Sequence, residues 1–187
     1  AGGRQATTRR CAQPLHEVGH NAELLLAAVK QQLGVVPNLM KLLGHSPAAL
    51  EGYLSLNGAL AKGKLDAQLR ERIALTVAEF NGCDYCLSAH DYLGRNLVKL
   101  SDGEINAARD GHSENVRANA ALQFARRVAE HRGRITDTDL ASLRGAGFDE
   151  ASTIEIVVAV ALNVLTNYMN NVAQTDIDFP RVTARSA

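Results

Sequence analysis

The chain has 187 residues, 46% apolar and 21% charged, which suits one domain or two closely fused halves around a core that needs no covalent staples. Lys plus Arg and Asp plus Glu both total 20, so no charge excess points to nucleic acid or to an anionic membrane surface. Three cysteines, Cys11, Cys83 and Cys86, are too few and too odd a set for a secreted disulfide framework; a close pair points to redox or metal chemistry instead.

Residues 1–13 form a polar lead that carries Cys11 as a bystander. It lacks the apolar stretch of a signal peptide, and a cytoplasmic chain is expected. No run approaches the roughly 20 apolar residues that span a bilayer, the longest being Ile156 to Leu162. Asn21 to Leu33 carries Leu24, Leu25, Ala28 and Val29 at helical spacing, with Gly34 as the stop. Leu39 to Leu43 makes a short helix before Gly44. Ser46-Pro47 is an N-cap with a first-turn proline and opens a helix to about Ala61. Asp66 caps the next, which runs to about Phe80. After the Asn81-Gly82 break a helix begins near Cys83 and ends near Leu93, with Gly94 as its stop. Ser101 with Glu104 has the capping-box pattern. Ser113 opens a helix to His131, Thr136 to Asp139 open a short one, and Asp149 caps the last, through about Gln174. The reading is an all-α chain of about eight or nine helices with short links. Ile154 to Leu165 is apolar nearly all round, which marks the last helix as either the central core helix or a subunit interface.

The chemistry gathers between Glu71 and His90. At about 100° per residue, Cys83, Cys86 and His90 fall within one helix face about 60° wide. Peroxide reduction needs a thiolate, and a free cysteine ionises only near pH 8.5. A helix N-terminus after Asn81-Gly82, the His90 imidazole and a carboxylate, Glu71 or Glu79, are three means of lowering that value. If the helix ran unbroken through Asn81-Gly82, Glu79 would lie about 40° from Cys83 and would compete with Glu71. The plainer readings are structural. Glu71 could pair with Arg70, Arg72 or Lys64 on a surface, and Tyr85 could simply pack. Structural zinc wants four ligands where only three lie close, so neither a metal nor a cofactor is expected.

Glu71, eleven residues, then Cys83-x-x-Cys86-x-x-x-His90 resembles the signature of the AhpD-like, carboxymuconolactone decarboxylase superfamily. Val36-Pro37-Asn38, His45-Ser46-Pro47, Asn167-Tyr168-Met169-Asn170 and Asp176-Ile177-Asp178-Phe179-Pro180 resemble its peroxidase-related branch. The resemblance covers about residues 14–181, expected as one AhpD-like helical domain between the lead at 1–13 and a tail at 182–187. It implies a thiol peroxidase in which Cys86 is peroxidatic, Cys83 resolving, and Glu71 with His90 a proton relay. It implies a hydroperoxide substrate, a dithiol reductant such as a lipoyl-bearing protein, and a homo-oligomer, commonly a trimer or hexamer. Some relatives have a histidine between the cysteines where this chain has Tyr85. Two alternatives stay open: a non-redox, lactone-decarboxylase-like enzyme, and a dithiol redox sensor without peroxide turnover. Finally, Glu155, eleven residues, then Asn167-Tyr168-Met169-Asn170 repeats the spacing of Glu71 and Cys83-Asp84-Tyr85-Cys86, which suggests two related halves.

Overall fold

The computed structural model describes residues 20–185. Among these, nine α-helices form and no strand: α1 His20–Leu33, α2 Asn38–Gly44, α3 Pro47–Leu60, α4 Ala67–Phe80, α5 Asp84–Asn96, α6 Asp102–Arg109, α7 Val116–Glu130, α8 Asp137–Gly145 and α9 Glu150–Ala173. Cys11 and the polar lead lie outside the described residues.

Local capping chemistry accounts for most helix starts. Ser46, Asp66, Ser101, Thr136 and Asp149 each accept a hydrogen bond from a backbone N–H three residues on, and Ser101–Glu104 and Thr136–Asp139 close reciprocal capping boxes. Two boundaries differ from expectation. α7 is capped by Asn115, not Ser113; the Ser113 hydroxyl accepts from Asn115 N at 3.2 Å and so belongs to the turn before the helix. Gly94 does not stop α5 but lies inside it, buried where a Cβ would meet Leu100 and Ile105 at 3.5 and 3.6 Å.

The core is built around α4, which packs on α5, α6, α7 and α9. Every residue from Arg72 to Glu79 is buried, including both charged ones. Arg72 is matched by Glu104 at 2.5 Å and Glu79 by Arg109 at 2.6 Å, the pairing that makes a buried charge tolerable. The central helix is thus α4. α9 instead divides into two faces. Ile156, Ala159, Val160 and Leu162 point inward with Ser152, Asn163, Thr166, Asn167 and Asn170. Outward lie Ile154, Ala161, Leu165, Tyr168 and Val172, with Ile154 63% and Val172 79% exposed. With Val158 these positions advance by alternate steps of four and three, the spacing of a helix–helix seam. Contrary to the sequence reading, α9 is long and apolar enough to cross a bilayer, but it is seated on α3, α4, α5 and α7.

The C-terminal segment returns across α5. Asp178 Oδ2 accepts from Asn38 N at 2.8 Å at the start of α2, and Phe179 stacks edge-on against Tyr85. Residues 182–185, expected as tail, are bonded in place: Val182 N to Ser88 Oγ at 2.9 Å, Ala184 N to Asp84 Oδ1 at 2.9 Å and Arg185 N to Glu79 Oε1 at 2.5 Å.

Candidate active site

The site is made by the way α4 stops. Gly82 takes φ +60°, where a side chain would be strained, and its N–H bonds Glu79 O while Cys83 N bonds Ala78 O. This is a Schellman ending. It throws Cys83 into an extended conformation (φ −96°, ψ 93°) as the N-cap of α5. Only Cys86 and His90 therefore lie on the helix where the sequence arithmetic placed all three groups. The convergence holds for another reason: the cap folds back, and Cys83 Sγ accepts from Cys86 N at 3.4 Å.

Both sulfurs are buried, Cys83 at 0% and Cys86 at 3% exposure, and neither is in a disulfide. Their acidities part. The hydrogen bond from the Cys83 thiol is the largest influence drawing Cys86 down to about 7; burial opposes it, and His90, Asn170 and Asn167 assist. Cys83, held as the donor and desolvated beside that incipient charge, is pushed up. Of the two thiols Cys86 is thus the more acidic.

Glu71 and His90 meet as expected, His90 Nδ1 and Glu71 Oε2 lying 2.8 Å apart. Their side chains remain 23% and 20% exposed, enough to exchange protons with solvent. Burial alone would depress the imidazole, but Glu71, then Cys86, outweigh it and raise its pKa. Glu79 is elsewhere: it accepts from Arg109 and from Arg185 N on the other side of α4. Of the surface partners suggested for Glu71, Arg72 binds Glu104 and Lys64 binds Asp149, and Glu71 turns to His90 and forms no ion pair with Arg70. Tyr85 does pack. Its hydroxyl accepts from Leu39 N at 3.0 Å and ties α2 to α5.

A cavity of about 90 Å³ opens onto Cys86, lined by Tyr53, Glu71, His90 and Asn163 with apolar Leu39 and Leu162. At about 30 Å³ per water it takes a small head group, so a bulky substrate must leave its tail toward the mouth. The Tyr53 hydroxyl, buried and near the charges of Cys86 and Glu71, is pushed up to about 12 and stays a neutral donor. Among the described residues no three His, Cys, Asp or Glu side chains are arranged to hold a metal ion.

Two side chains that sequence reasoning did not place here come from α9. Asn170 Nδ2 donates to Cys86 Sγ at 3.3 Å, and Asn167 Oδ1 accepts from Asn81 Nδ2 at 2.9 Å. Their sequence signals were the resemblance of Asn167-Tyr168-Met169-Asn170 to the peroxidase-related branch and the repeated spacing after Glu155. The two segments differ locally, because 71–90 breaks at Gly82 whereas 155–173 is one unbroken helix. Their glutamates differ too. Glu155 caps the α3–α4 turn, accepting from Lys64 N and Leu65 N at 2.7 and 3.2 Å, against Gly63, where a Cβ would displace its carboxylate.

Residues 47–131 match the Carboxymuconolactone decarboxylase family. Over 45 residues the chain is 49% identical to an uncharacterized protein of Haemophilus influenzae, a match that spans 24% of this chain and 40% of that protein's length. Among solved structures it is similar to an AhpD-core, peroxidase-related protein of Ralstonia eutropha JMP134, with TM-score 0.81 and 24% identity over 91% of this chain and 92% of the other. A peroxidase-related protein of Silicibacter sp. TM1040 aligns with TM-score 0.79 and 21% identity over 94% and 95%. The debrominase Bmp8 aligns with TM-score 0.72 and 21% identity over 87% and 89%. At these identities the structural likeness is one of fold.

Proposed function

We propose that this chain, whose residues 47–131 match the Carboxymuconolactone decarboxylase family and whose fold is that of AhpD-like proteins, is a thiol peroxidase that reduces hydroperoxides through Cys86 and Cys83. The observation that carries the reading is the unequal dithiol: a buried donor thiol, Cys83, against an acidified Cys86 that faces a cavity with a Glu71–His90 pair. Lactone decarboxylation has no use for adjacent thiols, and this sets the non-redox alternative aside.

The Cys86 thiolate attacks the terminal oxygen of ROOH; the S–O bond forms, the O–O bond breaks, and RO⁻ takes a proton from the His90 imidazolium to leave as ROH. Cys86 is now a sulfenic acid. The Cys83 sulfur attacks it, the S–S bond forms, and the hydroxyl leaves with the Cys83 proton as water. An external dithiol supplies two electrons and two protons by exchange, and we assign that part to a partner such as a lipoyl-bearing protein. Free thiols of this kind persist in the cytoplasm, where we place the chain.

The reading is tested with purified protein, tert-butyl hydroperoxide and dithiothreitol. Sustained peroxide consumption is expected; a chain that closes its disulfide with a general oxidant yet never turns over peroxide would be a redox sensor instead. In the same assay Glu71→Gln and His90→Asn should each lower the rate on the order of 10²-fold while leaving the melting temperature nearly unchanged, since acid–base catalysis contributes at that scale. Wild-type rates in both would remove the relay.

We assign the exposed seam of α9 to contact between copies of the chain. Leu165→Asp with Tyr168→Asp should reduce the sedimenting mass to that of one chain, because two charges would face each other across an apolar seam. An unaltered mass would place any self-association elsewhere.

A further inference from the structure

Arg70 brings an uncommitted charge to the cavity. It is half-buried on α4 and lines the cavity together with Glu71, His90 and Cys86. Among the described residues its side chain makes no hydrogen bond and no ion pair, and its Nε is buried without a partner. A guanidinium does not give up its proton, and drawing it from water unpaired is costly. Elsewhere the chain meets that cost: Arg72 is matched by Glu104 and Arg109 by Glu79. The carboxylate next to Arg70 in the chain, Glu71, is taken by His90. Nor is Arg70 spent on the sulfur, whose acidity answers to Cys83, His90, Asn170 and Asn167.

The helices fix where this cation stands relative to Cys86. Cys83 N bonds Ala78 O near the end of α4, and His90 meets Glu71 near its start, so α5 runs back along α4. His90 lies four residues, about 6 Å of helix rise, beyond Cys86. Arg70 is therefore level with the Glu71–His90 pair, about one turn along the cavity from the sulfur. Much of the remaining wall is apolar, with Leu39, Leu60, Ala159 and Leu162. A guanidinium presents a planar fork that fits a carboxylate with two parallel hydrogen bonds.

We infer that Arg70 sets the substrate class of the cavity: its guanidinium binds the carboxylate of an organic hydroperoxide whose –OOH group lies at Cys86, with a short carbon chain between the two ends. Arg70 transfers no proton. It holds the far end of the substrate, so that the departing alkoxide forms beside His90. The inference rests on the peroxidase reading above.

The test uses a matched pair. 4-Hydroperoxy-4-methylpentanoate and its methyl ester share the same tertiary hydroperoxide and differ by one charge. Each is mixed rapidly with reduced wild type, Arg70→Lys, Arg70→Gln and Arg70→Glu at low salt. The loss of thiol that iodoacetamide can alkylate is followed by mass spectrometry. Dividing the acid's rate by the ester's in the same variant cancels any change in the sulfur itself. Wild type should favour the carboxylate by on the order of tenfold, the scale of a charge-assisted hydrogen bond. The preference should be partly kept in Arg70→Lys, vanish in Arg70→Gln and reverse in Arg70→Glu. In wild type it should also shrink as ionic strength rises, because the guanidinium is only half-buried. That measurement needs no variant, and a salt-independent preference overturns the site even where Arg70→Gln does not fold. Equal rates for acid and ester in wild type, or a preference that Arg70→Gln leaves unchanged, overturn the carboxylate site and leave the peroxidase reading standing. A wild type that iodoacetamide alkylates normally but neither hydroperoxide oxidises overturns both.

Discussion

Cys86→Ser is expected to reduce peroxide consumption to that of buffer with dithiothreitol, while the helices and the melting temperature stay close to those of wild type. Serine differs by one atom and fits the same buried position, so packing around α5 is preserved. Its hydroxyl, however, does not ionise near neutrality. The hydrogen bond from Cys83, the amide of Asn170 and the His90 charge all act by favouring an anion at position 86, and they have nothing to act on once the group cannot ionise. Cys83 cannot replace it, because it is fully buried and does not line the cavity, and burial still opposes its ionisation. Peroxide turnover by Cys86→Ser at more than a trace of the wild-type rate would place the nucleophile elsewhere.

The second large effect separates the two duties of Cys83. Cys83→Ser and Cys83→Ala should both end sustained turnover, since no thiol remains to displace the sulfenic hydroxyl; each should consume one peroxide per chain and then stall, with the sulfenic acid trapped by dimedone and weighed by mass spectrometry. They should differ in the pH dependence of that first reaction. Attack requires the thiolate, so the wild-type rate rises with pH and is half-maximal at about 7. Serine keeps a hydroxyl that donates to Cys86 and is itself a favoured N-cap, so its midpoint should stay near the wild type's. Alanine removes the donor, the largest of the acidifying influences, and the midpoint should move up toward the ordinary thiol value of about 8.5. Coincident profiles for serine, alanine and wild type would show that the neighbouring thiol does not set the acidity of Cys86.

Features decided within four or five residues were legible in the sequence. Ser46, Asp66, Ser101, Thr136 and Asp149 cap helices because an oxygen three positions before a free N–H reaches it whatever the rest of the chain does. The Glu71, Cys83, Cys86 and His90 set was legible by spacing, although the helix phase that seemed to align it was not the cause. Gly82 resets the phase, so counting 100° steps across the break could not decide between Glu71 and Glu79. What remained hidden depended on distant partners. α4 reads as an ordinary amphipathic helix because Arg72 and Glu79 look like a polar edge, and only ion pairs from α6, 32 and 30 residues away, allow it to be central. α9 reads as uniformly apolar because hydropathy does not say which faces have neighbours. Asn167 and Asn170 reach Asn81 and Cys86 across 86 and 84 residues of chain, so local periodicity could not place them at the site.

The N-cap position of Cys83 bears on how often the cycle can repeat. Many cysteine pairs must unravel part of a helix before their sulfurs can meet, and each round then waits on a local melting and re-annealing. Here the first turn of α5 already holds the Cys83 sulfur on the backbone N–H of Cys86, so on the peroxidase reading closing the bridge is expected to rearrange side chains and leave the amide ladder of α5 in place. On the peroxidase reading, the tempo then falls to the external dithiol that delivers the electrons.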